Sequence, residues 1–410
     1  MAGKGAWSDL RRPSVRRAGV EVARTDFDPT DPATIADPFP GLARLREHPV
    51  AVNEKLGVWM IARHDDVSAA ARAPVVLSSA MGVLLRSAPM EVVPTTDPPV
   101  HDRLRRVISP IFTPGRARKM ESDLREFVTP GIAALAEGHV VDAVPAITVP
   151  LPVSAIASLL GVPREHWPNF RAWSDEIARI FGISSLTDFP ILMSRSMPAM
   201  SAMRNLVVAE LAARKPGDDD MIGLLRRARD AGEMTDEQVI ATAIAILFAG
   251  NETTTNLIGM LLLKLARDPE LFDRLRDNRD LIPNAVEEML RWGSPVQWLA
   301  RYSTAPYPIG GTVIPARSRV VLLYAGANRD PAKHIDPDTF DIDRKSVNHL
   351  GFGQGTHFCL GAHLARVEAR VALNVLFDQV QHLEIAGPVE WTTAPSLSGP
   401  TKLPMRAVPA

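Results

Sequence analysis

The chain has 410 residues, 46% hydrophobic and 23% charged, the proportions of a water-soluble globular protein with room for a large core. A formal net charge of −1 argues against nucleic acid or an anionic membrane surface as a partner. With one cysteine no internal disulfide can form, which fits a reducing cytoplasm and leaves that residue either an inert core thiol or a reactive centre.

Residues 1–24 carry Arg11, Arg12, Arg16 and Arg17 with no apolar stretch behind them. They do not read as a signal peptide and are expected to form a disordered tail ahead of one domain over 25–410. Apolar residues at helical spacing predict helices from Pro40 to Glu47, Pro114 to Glu137 and Pro152 to Leu160. Val50 to Asn53 and Val58 to Ala62 read as a hairpin across Glu54 to Gly57. A short helix after Asp97-Pro98-Pro99 carries His101 and Arg105 one turn apart. Thr235 and Gln238 form a capping box that opens a long helix, which Asp268-Pro269 should stop near Arg267. Its apolar runs, Val239 to Gly250 and Leu257 to Leu263, are interrupted by Asn251 and Glu252. Neither run reaches the roughly 18–20 uninterrupted residues of a membrane span, so the helix is expected to lie buried in a protein core.

A further helix runs from Pro283 to Trp292 and sets Glu288 and Arg291 on one face. Val296 to Ala300 is strand-like, followed by Arg301. Tyr307 to Ile309, Thr312 to Ile314 and Arg319 to Tyr324 form a β-rich patch. Leu360 to Gln379 is helical, with Leu364, Val367, Val371 and Val375 on one face, and His382 to Ile385 with Pro404 to Val408 suggests a small terminal sheet. There is no internal repeat and no low-complexity linker. The fold class is mainly α with small β-sheets in one large domain.

The most informative segment is Phe352-Gly353-Gln354-Gly355-Thr356-His357-Phe358-Cys359-Leu360-Gly361. Two glycines make a tight loop just before a helix, and a cysteine at a helix start is placed where backbone N–H groups and the dipole favour a thiolate. This segment resembles the cysteine-ligand loop of cytochromes P450 at every defining position. The resemblance runs from Asp37-Pro38 to Leu403-Pro404. It implies the cytochrome P450 fold, with heme b lying between the long central helix and the cysteine-ligand loop and helix. Cys359 is then the iron ligand, because a thiolate pushes electron density onto the iron and favours O–O cleavage. Phe352, Gly353 and Gly361 frame the heme, Gly361 leaving space for a flat macrocycle. His101, Arg105, Arg301 and His357 take the propionate-binding positions, where cations suit carboxylates. Glu288 and Arg291 resemble the Glu-x-x-Arg pair, a structural tie to the segment before the cysteine loop.

Ala249-Gly250-Asn251-Glu252-Thr253-Thr254 resembles the acid–alcohol motif of the same enzymes. Gly250 is expected to let the helix open locally for O2 and water, Thr253 to hydrogen-bond the activated oxygen, and Glu252 to serve as the acid of a proton relay. The family more often has Asp in the place of Glu252; the carboxylate is kept. The relay implies turnover with O2 and two electrons. No flavin or iron–sulfur segment is recognisable, so the resemblance implies a separate ferredoxin and ferredoxin reductase, with Arg103, Arg106, Arg116, Arg118 and Lys119 as a basic docking face.

By resemblance, Val83, Leu84, Phe181, Ile244, Phe248, Val296, Trp298 and Leu397 line the substrate pocket, although any of them alone reads equally as core. Their apolar character points to a small neutral apolar or aromatic molecule that is hydroxylated, or O-dealkylated where an ether oxygen adjoins the carbon. Ser294-Pro295-Val296-Gln297 and Gly387-Pro388-Val389 resemble members acting on benzoic acids and aryl ethers. Ala80, Ile244 and Ala245 stand where those members anchor a carboxylate, which disfavours a benzoate. Terpenoids, branched lipids or sterols are the alternative substrate class. A peroxide-driven peroxygenase and a non-catalytic heme-binding module are the alternative activities. A cytoplasmic protein with no membrane or nucleic-acid partner is expected.

Overall fold

A computed structural model describes residues 22–85, 90–178, 189–215, 217–345 and 347–408. By their internal contacts they form two compact units. The first takes the described residues up to Asp102, Val296–Thr339 and Asn348–Cys359; the second takes Arg103–Pro295, Phe340–Val347 and the chain from Leu360 onward.

The first unit is built on a six-stranded sheet of Ala23–Arg24, Ala51–Asn53, Val58–Ile61, Arg319–Leu322, Leu299–Ser303 and Leu77–Ser78, in that spatial order. The expected hairpin is present, antiparallel with Asn53 opposite Val58. Ala23–Arg24 pairs in parallel with Ala51 and Val52, so the expected tail gives way to structure before residue 24; residues 1–21 lie outside the described ones. The expected β-patch divides. Tyr307–Ile309 and Thr312–Ile314 form their own hairpin, while Arg319–Leu322 joins the large sheet between Val58–Ile61 and Leu299–Ser303. The period of two along a strand explains this sheet's burial. Trp59, Ile61, Val320 and Leu322 feed one apolar cluster, and Val58, Met60, Val321 and Leu323 feed another.

The second unit is mostly helical. The long helix spans Asp236–Arg267, 32 residues, and begins on the expected capping box. Thr235 N–H donates to Gln238 Oε1 at 3.0 Å, and Gln238 N–H donates to Thr235 Oγ1 at 3.2 Å. Helices Pro150–Leu160, Ile282–Trp292 and Ala362–Gln379 and strand His382–Ile385 pack against it. The expected helix from Pro114 to Glu137 is two, Pro114–Lys119 and Glu121–Ala136, divided at Met120. The terminal strands His382–Ile385 and Pro404–Val408 pair antiparallel and take Val141–Asp142 as a third. Among the described residues no helix is long and apolar enough to cross a membrane.

Glu288 and Arg291 are fully buried in this unit, not an exposed helix pair. Arg291 donates from Nε to Glu288 Oε2 at 2.8 Å and from Nη2 to Oε1 at 2.6 Å. Glu288 Oε1 also accepts the Asp341 N–H at 2.9 Å, and Arg344 Nε lies 3.4 Å from Oε2. The pair thus holds the backbone at Asp341 and the side chain of Arg344.

Candidate active site

In the first unit the cysteine loop hangs from a buried asparagine: Leu350 N–H donates to Asn328 Oδ1 at 2.6 Å. Gly353 and Gly355 sit at φ of 66° and 70°, left-handed values that glycine adopts without a Cβ penalty. Those turns let the Cys359 N–H reach back to the Phe352 carbonyl at 2.9 Å, closing the loop on itself. The Cys359 side chain is exposed. The following helix begins at Ala362, two residues after the expected Leu360, with Gly361 as its N-cap and Cys359 just ahead of it. A Cβ built on Gly361 would meet nothing within 4 Å.

His101, on helix Val100–Ile108, is brought to this loop: its ring meets that of His357 edge-on, with centroids 4.6 Å apart. His101 Nδ1 lies 2.8 Å from Asp102 Oδ1, and its Nε2 is buried with no hydrogen-bond partner among the described residues. Arg301, in strand Leu299–Ser303, is 3% exposed and donates only to the Ala300 carbonyl, at 2.9 Å, with no carboxylate partner among the described residues. Phe352 packs between His349 and Phe358. An exposed thiol, a buried imidazole nitrogen lacking a partner and a buried guanidinium lacking an acid fit an iron macrocycle that carries carboxylate arms.

In the second unit the long helix is continuous α-helix through Gly250-Asn251-Glu252-Thr253, without the local opening expected at Gly250. Gly250 has a packing reason: a Cβ there would lie 2.8 Å from Ile156 Cδ1 on helix Pro150–Leu160. Thr253 Oγ1 donates to the Ala249 carbonyl at 2.8 Å, which commits its hydrogen and leaves its lone pairs. Glu252 Oε2 is buried without a hydrogen-bond partner among the described residues, and desolvation pushes the carboxyl up to about 7. Arg105 is half-buried in this unit and accepts the Ser109 hydroxyl on its carbonyl.

The expected pocket residues divide. Val83, Leu84 and Val296 of the first unit and Ile244 and Leu397 of the second are half-buried. Trp298 is not a pocket wall. It is 4% exposed and packs among Phe27, Leu42, Met60 and Leu323, because a strand-edge residue beside Leu299–Ser303 falls on the packed face of the sheet. Phe181 and the side chain of Phe248 lie outside the described residues. Of the basic set, Arg116 pairs with Asp219 and Arg106 lies 3.7 Å from Glu233. Arg118 and Lys119 are exposed without a carboxylate partner among the described residues. Buried charges were missed, Arg319 and Glu368 among them. Arg319 is 8% exposed in an apolar strand, and Glu368 is 1% exposed on the apolar face of Ala362–Gln379, its carboxyl pushed up by burial.

Comparison with known proteins agrees with this chemistry. The cytochrome P450 family model matches residues 195–387. The chain is 34% identical over 386 residues to the beta-dihydromenaquinone-9 omega-hydroxylase of Mycobacterium tuberculosis, covering 94% of this chain and 79% of that protein. It is 34% identical to the cytochrome P450 109 of Bacillus spizizenii, covering 90% of this chain and 91% of the relative. The crystal structure of CYP109E1 from Bacillus megaterium in complex with testosterone superposes with a TM-score of 0.82 at 30% identity, covering 92% of this chain and 99% of that one. A lone cysteine presented on a self-closed loop, in a chain with this fold and these relatives, places the protein in the cytochrome P450 family of heme b monooxygenases.

Proposed function

We propose that the protein uses O2 and two electrons from a separate ferredoxin and its reductase to insert one oxygen atom into a C–H bond of a neutral apolar substrate, in the cytoplasm. The observation that carries the O2-dependent reading is Glu252, whose buried Oε2 has no partner among the described residues, next in sequence to the Thr253 hydroxyl. Hydrogen peroxide brings its own two protons, so a peroxide-driven enzyme needs no relay that delivers them from solvent.

Heme b held through a cysteine thiolate supplies the activation of O2. In this reading Cys359 provides that thiolate, and His101, Arg105, Arg301 and His357 hold the propionates. Phe352, Gly353 and Gly361 frame the macrocycle. Glu252, pushed up to about 7, is populated in both protonation states at neutral pH, so it can give a proton and regain one. Thr253, its own hydrogen committed to Ala249, accepts a hydrogen bond and so orients the proton's destination. Gly250 keeps the helix seated against Ile156 and supports this pair from behind. Val83, Leu84 and Val296 contribute apolar contact to the substrate, and exposed Arg118 and Lys119 offer an acidic ferredoxin its first contacts. Isoprenoid and steroid substrates are favoured over arenes, because the relatives include a menaquinone omega-hydroxylase and a protein crystallised with testosterone.

Cys359→Ser is expected to abolish the thiolate form of the ferrous–CO spectrum; an unchanged band refutes the ligand. Thr253→Ala should lower product formed per electron pair several-fold and release hydrogen peroxide, measured with ferredoxin, reductase and NADH. Full coupling in that variant would sink the relay. Glu252 binds its proton more tightly folded than unfolded, so its burial penalty is absent below about 4.5, grows as pH rises to about 7, and persists above. Stability should therefore fall across that window by about 3 kcal/mol at most, and Glu252→Gln should flatten the dependence of the urea midpoint on pH. An equal slope in both proteins would show the carboxyl to be solvated. An optical spin-state titration with testosterone, an isoprenoid alcohol and a methoxy-arene tests the substrate class. A full Soret shift is expected with the first or second, and a shift with the arene alone reverses the preference.

A further inference from the structure

Arg319 is a buried charge answered by backbone carbonyls. It stands in the central strand Arg319–Leu322 of the first unit's sheet and is 8% exposed. Burial lowers its affinity for the proton first, and the neighbouring Arg301 lowers it further, to about 10, so the side chain stays charged at neutral pH. A guanidinium held this way requires acceptors on all sides. It finds them in one short stretch of irregular backbone. Nε donates to the Leu85 carbonyl at 3.2 Å, Nη1 to Gly82 at 3.2 Å, and Nη2 to Met81 at 3.1 Å and Leu84 at 2.5 Å. The remaining carbonyl of the stretch, Val83, accepts the Ala300 N–H from the adjacent strand at 2.7 Å. All five consecutive carbonyls from Met81 to Leu85 are thus taken by two neighbouring strands, four of them by one side chain.

The energetics run in both directions. Without Arg319 this segment has no regular ladder to hold it, and four carbonyls lose a charge-assisted partner. Without the segment, Arg319 loses four acceptors while Arg301 remains beside it. Leu85 packs on the core cluster beneath, while Val83 and Leu84 remain half-buried. We infer that Arg319 is a positioning residue that fixes the Met81–Leu85 segment on the sheet and thereby sets how tightly the apolar wall of Val83 and Leu84 grips its guest. This rests on the reading that these two residues contact substrate. A loop anchored at every carbonyl is preorganised, and affinity gained through preorganisation appears in binding more than in the chemical step.

The test uses the full-length holoprotein, with Arg319→Gln, Arg319→Lys and Val83→Phe beside the wild type. Wild-type ferrous–CO spectra are required of each, to show that the fold and heme are retained. The first readout is amide hydrogen exchange over residues 81–85, expected to accelerate at least tenfold in Arg319→Gln and by less in Arg319→Lys, which keeps the charge but offers fewer donors. The second is optical titration with 4-phenylimidazole and with plain imidazole, both of which bind iron through nitrogen. In Arg319→Gln the phenyl compound should weaken about tenfold while imidazole changes less than twofold; Val83→Phe should alter the phenyl compound alone. Unchanged exchange overturns the clamp. Faster exchange with unaltered phenylimidazole affinity, while Val83→Phe does alter it, overturns the control of binding by Arg319. If neither variant alters phenylimidazole affinity, the assignment of Val83 to the wall fails instead, and the faster exchange still establishes the clamp.

Discussion

Charge taken out of water must be answered locally, and the Glu288–Arg291 pair is where the second unit meets that demand most fully. Neither side chain is exposed, and the Glu288 oxygens collect two donors from Arg291, the Asp341 N–H and the approach of Arg344. Such a pair is no great source of net stability, since desolvation offsets most of the attraction. Its value is geometric: a carboxylate with several fixed donors permits few arrangements of the backbone that supplies them. The chain that leads toward the cysteine loop is therefore specified by charge compensation more than by apolar packing.

The same constraint is resolved differently elsewhere, and the differences separate scaffold from chemistry. Arg319 is answered by backbone carbonyls, and its role is structural order in a segment with no ladder of its own. Glu252 Oε2 has no partner among the described residues, and desolvation raises its affinity for the proton instead. Arg301 and His101 keep hydrogen-bonding capacity within a buried setting, as expected of groups that await an anionic partner. Glu368 resembles Glu252 in burial and in the direction of its shift, yet sits on a helix face otherwise given to packing.

What could be read from sequence was whatever is written contiguously. The cysteine loop, the capping box of the long helix and the Glu288–Arg291 spacing are local patterns, and their local geometry is as expected. Failures came where a third element decides the outcome. Gly250 looked like a hinge, but its need is the approach of Ile156, nearly a hundred positions earlier. Trp298 looked like a pocket wall until the sheet turned it toward Phe27 and Leu42. Arg319 was one letter in a β-rich run, and its four acceptors lie 234–238 positions away. Helix boundaries slipped for a related reason: Met120 divides a pattern that is periodic on both sides.

Strand Val58–Ile61 is packed on both faces and paired on both edges, with Ala51–Asn53 on one side and Arg319–Leu322 on the other. Its sequence, Val-Trp-Met-Ile, contains no charge, no proline and no glycine. Those properties make it a dry interior when folded and an adhesive segment when exposed, since nothing in it discourages pairing with another copy of itself. Its protection lies at its borders, where Glu54 and Lys55 precede it and Arg63 and His64 follow, the flanking gatekeepers that long apolar strands need. The sheet that carries Arg319 and Arg301 therefore leaves Val58–Ile61 unpaired on one edge during synthesis until Arg319–Leu322, some 260 positions on, has been made.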